Sequence, residues 1–191
     1  MDNMYVNNAG IFLVQTLFGL ILLLFMLRLL MQLVRADFHN PVSQFVVKLT
    51  NPLLKPLRRV IPGLFGIDMA SLVVLLALQV LELFLVGQLM GHEVRFAGLL
   101  VLSLGELLDL LIKIYLYGIL IQVVISWINP GSYNPALAIL HAINEPLLRP
   151  ARRILPPISG FDLSPILVLV ALQLLSMLLL APLADIARGL L

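Results

Sequence analysis

The sequence predicts an all-α membrane protein: four transmembrane helices in two parallel-oriented repeats, each with a short amphipathic interfacial helix between its two spans. Three observations predict it. Hydrophobic residues make up 61% of the 191 residues and charged residues only 12%, against about 25% charged in an ordinary soluble domain. Mean hydropathy is +1.09. Four segments meet the need for about 20 mostly apolar residues to cross a ~30 Å hydrocarbon core as helix. Residues 40–85 recur as 134–179 at a constant offset of 94, as from Asn40 to Asn134. A water-soluble enzyme of this size is excluded, because its fold would leave too much apolar surface in water. The absence of cysteine excludes disulfides, iron–sulfur clusters and thiolate metal or haem sites. A net charge of +2 gives no argument for nucleic acid.

The spans follow in order. The first covers roughly 10–34 and is free of charge from Ala9 to Leu27. Asp2 stands where a signal peptide would carry a basic residue, so this span is expected to stay in the mature protein. The second covers roughly 69–90 and is interrupted by Glu82; the third roughly 104–128; the fourth roughly 163–184, with no charge. Helix is the form that pairs every backbone group in lipid, and none of these runs alternates as a barrel strand does.

Charge placement predicts sidedness. Arg35, Lys48, Lys55, Arg58 and Arg59 follow span one, and Arg149, Arg152 and Arg153 follow span three. Basic connections stay on the cytoplasmic side. Both termini and the 91–96 connection are therefore expected outside. Residues 1–95 form the first repeat and 96–191 the second. Two spans per unit insert both copies the same way up, unlike inverted-repeat transporters.

Each long connection opens with Asn-Pro, an N-cap followed by proline at the first helical position. Val42, Phe45, Val46, Leu49 and Leu53 then form an apolar stripe, matched by Ala136, Ile139, Leu140, Ile143 and Leu147. The expectation is a helix of ten to twelve residues, too short to span, stopped by Pro52 and Pro56 or by Pro146 and Pro150. The pairs Arg58-Arg59 and Arg152-Arg153 follow at head-group level. Pro62 and Pro156 turn the chain, and Asp68 and Asp162 occupy the N-cap positions of the next spans. Two readings of the arginines stand side by side. One is topology and lipid anchoring, worth about 1 kcal/mol per basic residue at an anionic leaflet. The other is a site for an anionic head group or partner.

The doubled P-L-[LI]-x-P-x-R-R-[VIL]-[IL]-P segment followed by G-[IF]-D resembles the YggT family of small integral membrane proteins with two tandem repeats. Asp37–Lys48 and Ile125-Ser126-Trp127 also resemble bacterial members. The resemblance covers nearly the whole chain. It implies a bacterial inner-membrane protein, non-enzymatic, without cofactor, linked to osmotic stress and ion or osmolyte homeostasis. Plastid relatives imply an alternative: a scaffold or assembly factor for membrane complexes. Partners implied are anionic lipid head groups and either a second copy or other membrane proteins.

Charges inside the membrane are costly and are usually paired or functional. Here they are Arg28, Glu82, Glu106, Asp109 and Lys113. Arg28 lies about 9 Å from the inner end of span one and is expected to snorkel inward. Glu82 and Lys113 lie about 12 and 14 Å from the outer ends of their spans, which predicts a Glu82–Lys113 pair between repeats. Glu106, Asp109 and Lys113 share one helical face, either as a polar lining for ions or as a self-paired stripe near the surface. Gln79 and Gln173 are repeat mates and would line a pseudo-twofold seam. His39, His92 and His141 fall in connections without ligand spacing, so no metal site is expected. Ser71, Ser126 and Ser164 have no base in sequence reach, which gives hydrolase chemistry no support.

Overall fold

The computed structural model describes residues 2–64, 66–91, 95–129, 134–156 and 162–190. They form six helices: α1 (Asp2–Leu33), α2 (Pro41–Leu57), α3 (Met69–Met90), α4 (Phe96–Ile128), α5 (Pro135–Ile154) and α6 (Ser164–Leu190). Among the described residues there is no strand, only an isolated bridge between Leu64 and Ile67. Helices α1, α3, α4 and α6 are long and apolar enough to cross a membrane.

Three of these helices outrun the expected spans. Helix α4 begins at Phe96 and not near 104, α1 begins at Asp2, and α6 continues to Leu190. Its 33 residues make α4 about 50 Å long at 1.5 Å per residue. Hydropathy marks where lipid ends, but nothing in 96–104 breaks the backbone ladder, so the helix simply starts earlier.

Within each repeat the two spans pack together, α1 on α3 and α4 on α6, and α3 against α4 joins the repeats. Helix α2 lies on α1 and α3, α5 lies on α4 and α6, and α2 touches α5. The larger core gathers Leu22, Phe25, Met26 and Leu29 of α1 with Val46 and Leu54 of α2, Val74 and Leu75 of α3, and Ile139 and Ile143 of α5. A smaller core joins Ile112 and Ile119 to Leu148, Ala151, Val168 and Leu172. Lipid tails are as apolar as leucine, so these contacts hold by close packing and polar bonds, not by exclusion of water.

The connecting helices correct two expectations. They run 17 and 20 residues, and Pro52, Pro56, Pro146 and Pro150 lie inside them and do not stop them. The reason is placement. All four prolines are exposed, so each ring stands away from the packed face of its helix, and the helix continues past the one backbone bond it loses. The predicted stripe of α2 also divides. Val46 is buried, but Phe45, Leu49 and Leu53 are exposed. The face turned to the spans is Ser43, Val46, Thr50 and Leu54.

Candidate functional site

Helix α2 ends at Leu57, and Arg58 is its C-cap. The chain then folds back through Leu64 and Ile67, with Gly66 at φ +81°, a conformation that side chains with a Cβ rarely adopt. This return brings Asp68 under Arg58. Arg58 donates to Asp68 Oδ2 from Nε at 3.1 Å and from Nη2 at 2.5 Å. Ser71 Oγ donates to the same oxygen. Asp68 holds the N-cap position of α3, yet its carboxylate caps no backbone N–H, being occupied by Arg58 and Ser71. Burial works to raise this carboxyl, but the bonds from Arg58 and Ser71 together with the arginine charge outweigh it and hold Asp68 below the ordinary carboxylate range.

The second repeat builds the same pair more openly. Arg152 lies in the last turn of α5. Its Nε donates to Asp162 Oδ2 at 3.0 Å, and its Nη1 donates to both oxygens of Glu145. Asp162 Oδ1 accepts the Ser164 N–H at 2.9 Å, so this aspartate does cap its helix. Arg58 and Arg152 are thus each paired with carboxylates of the chain itself. Their neighbours Arg59 and Arg153, with Pro62 and Pro156, are exposed.

Arg28 corrects the snorkelling expectation. It is buried and points into α2, donating from Nη1 to Val47 O at 3.1 Å and to Thr50 Oγ1, and from Nη2 to Asn51 Oδ1 at 2.9 Å. Its repeat mate Gln122 accepts from Asn144 Nδ2 at 2.8 Å, and Asn144 is the repeat mate of Thr50. Each repeat therefore latches its first span to its amphipathic helix at the same two positions, by a charged donor in one and an amide in the other. Close approach serves the second latch: a Cβ on Gly118 would stand 3.1 Å from Asn144 Oδ1. Thr50, Asn51, Asn144 and Glu145 escaped the sequence reading. The signal was present, since polar residues recur at the same two positions at the repeat offset.

A cavity of about 490 Å³ opens between these groups, lined by Arg28, Gln32, Phe38, Val47, Arg58, Ile61, Gly63 and Asp68. Two guanidiniums and one carboxylate leave it with a net positive charge. It can hold an anion of head-group size against Arg28 and Arg58.

The remaining intramembrane groups do not join this site. Lys113 pairs with Asp109 on its own helix, and Glu82 accepts from Gln79 at 2.9 Å. The expected Glu82–Lys113 pair is not formed: an i,i+4 partner on the same helix is within reach at no cost in backbone placement. Glu106 and Asp109 line a small cavity of about 130 Å³ against Leu180, Leu183 and Ala184 of α6. Gln79 is buried while Gln173 is exposed, so the two glutamines share no seam. His39 lies exposed beside Asp37, His141 is exposed, and His92 lies outside the described residues. No cluster of metal-ligand side chains occurs among the described residues.

Four apolar helices in two like hairpins, each bearing a buttressed Arg–Asp pair, define a duplicated multi-pass membrane protein. A family model described as CCB3/YggT matches residues 7–89 and again 101–183. The chain belongs to the CCB3/YggT family. It is 47% identical over 180 residues to an uncharacterized protein of Pseudomonas aeruginosa, covering 93% of this chain and 91% of that one. It is 37% identical over 172 residues to the uncharacterized protein YggT of Escherichia coli K12, covering 89% and 88%. An uncharacterized ycf19 protein of Guillardia theta is 40% identical over 63 residues, 32% of this chain and 69% of that one. No solved structure matches the chain.

Proposed function

We propose that this is a non-enzymatic protein of the bacterial inner membrane that seats the phosphate of an anionic lipid head group between Arg28 and Arg58, and that this anchorage serves the membrane under osmotic stress. The observation that carries the reading is the positively charged cavity at the foot of α1 and α2, with Arg28 held in place by three acceptors of α2. A buried guanidinium fixed in position loses little freedom on meeting a phosphate, and its fork suits phosphate oxygens. The exposed Phe45, Leu49 and Leu53 of α2 suit a helix dipping into the cytoplasmic head-group layer. Arg59, Lys55, Arg149 and Arg153 add diffuse attraction there.

Native mass spectrometry of the protein released from membranes tests it, comparing retained phosphatidylglycerol with phosphatidylcholine. Arg28→Gln copies the amide found at Gln122 and so keeps a donor for α2 while removing the charge. Retention of the anionic lipid is expected to fall several-fold in R28Q at unchanged helicity. Equal retention by R28Q and the parent would overturn the site. A second reading, ion or osmolyte handling, draws on Glu82, Glu106, Asp109 and Lys113 between α3, α4 and α6; flux into liposomes that depends on Glu106 would favour it.

A further inference from the structure

The two repeats are equivalent in sequence but not in surroundings. Helix α3 has a span on either side, α1 of its own repeat and α4 of the next. Among the described spans, its repeat mate α6 makes its extensive contact with α4, and α1 makes its own with α3. The share of buried residues in the apolar stretch is 33% in α3, 17% in both α1 and α4, and 11% in α6. Residues of α4 that pack toward the first repeat have bare counterparts on α1. Leu107, Leu111 and Ile114 of α4 pack against the larger core. At the repeat offset they correspond to Leu13, Leu17 and Leu20 of α1, which are 58%, 60% and 57% exposed. Gln79 of α3 is 5% exposed and bonded. Its mate Gln173 of α6 is exposed about 13 Å along its helix from the inner end, with no hydrogen bond among the described residues. An amide facing hydrocarbon is unfavourable without a partner. Leu174 and Met177 extend the same bare face, at 54% and 60% exposure.

We propose that a second copy of the chain covers these faces, α6 of each copy packing on α1 of the other. The seam would repeat α3–α4 with the same antiparallel sense. Depths agree: Leu20 and Met177 both stand about 20 Å from the inner ends of their helices, as Ile114 and Leu83 stand about 21 Å from theirs in the existing seam. Two such seams related by a twofold axis close on themselves, so the assembly ends at a dimer of four repeats and does not run on as a filament. Apolar faces alone would be satisfied by lipid; the exposed Gln173 and the bare repeat mates of α4's packed leucines and isoleucine are what select a second copy.

Cysteine crosslinking tests it in this cysteine-free chain. Two differently tagged copies, one with Leu20→Cys and one with Met177→Cys, are co-expressed and treated in membranes with copper phenanthroline. A species of twice the chain mass carrying both tags is expected, several-fold above a control pairing M177C with Phe84→Cys on the outer face of α3. A link no stronger than the control overturns the proposal. So does a link that forms only within one chain carrying both L20C and M177C, which would mean that α1 and α6 close on each other. The unsubstituted protein provides a check independent of the variants: in lipid nanodiscs it is expected at twice 21.1 kDa, and a monomer there at every lipid-to-protein ratio also overturns the proposal.

Discussion

Replacing Asp68 by alanine and, separately, Asp162 by alanine perturbs the same repeat position in two environments. Asp68 is 7% exposed in its side chain and its partner Arg58 is 38% exposed, whereas Asp162 and Arg152 are 36% and 33% exposed. In D68A, Arg58 loses two charge-assisted bonds, each roughly 1.5–3 kcal/mol when fully shielded. Arg58 is open enough to recover part of that from water, which leaves about 2 kcal/mol. Ser71 Oγ is fully buried and loses its acceptor, for about 1 kcal/mol more. The total is about 3 kcal/mol. In D162A the open ion pair contributes about 0.5 kcal/mol, and Arg152 keeps Glu145. The lost cap on Ser164 costs about 1 kcal/mol. The two variants should therefore differ by about 1.5 kcal/mol, near tenfold in the unfolding equilibrium. Titrating mixed micelles with sodium dodecyl sulfate and following far-ultraviolet circular dichroism reads this difference. If D162A is as destabilising as D68A, or more so, the argument from burial is wrong.

The remaining predictions concern pH and sidedness. Asp68 and Asp162 are both held below the ordinary value of 3.8: burial raises each, and hydrogen bonds with the arginine charge outweigh it. A depressed folded value means that their contribution is complete above the unfolded value and is lost as pH falls through the lower folded one. Stability in micelles should be level above pH about 5 and decline below about 4, and the D68A/D162A double variant should show a shallower decline. Cysteines at Gln44 and His141, both exposed, should react with a membrane-impermeant maleimide only after the inner face is opened. Labelling of one but not the other in intact cells would break the parallel orientation.

Much of the architecture could be read from the residues in order. The four spans needed only length and apolarity, because lipid leaves helix as the way to pair a backbone. The register between repeats was carried by Pro52, Arg58, Arg59 and Asp68 with their mates. The direction of Arg28 was not legible, because its acceptors Thr50 and Asn51 sit on another helix whose rotation no stripe specifies. The inward face of α2 was misread for the same reason. A helix between lipid and protein has two apolar sides, and Phe45 and Val46 look alike until one meets a partner. Pro52 and Pro56 were misread because a proline removes one backbone bond and bends a helix without having to end it.

By itself the chain determined that it is a membrane protein, that it is doubled, and which arginines and aspartates recur; these are properties of local composition and of position along the chain. The tertiary structure alone decided which recurring residues meet. Asp68 is buried and Asp162 open, Arg28 is latched to α2, and Gln79 is buried while Gln173 is exposed. Identical positions diverge because the first repeat's second span is enclosed on both sides and the second repeat's is not, and neighbours in space are a property of the assembled helices, not of either copy's sequence.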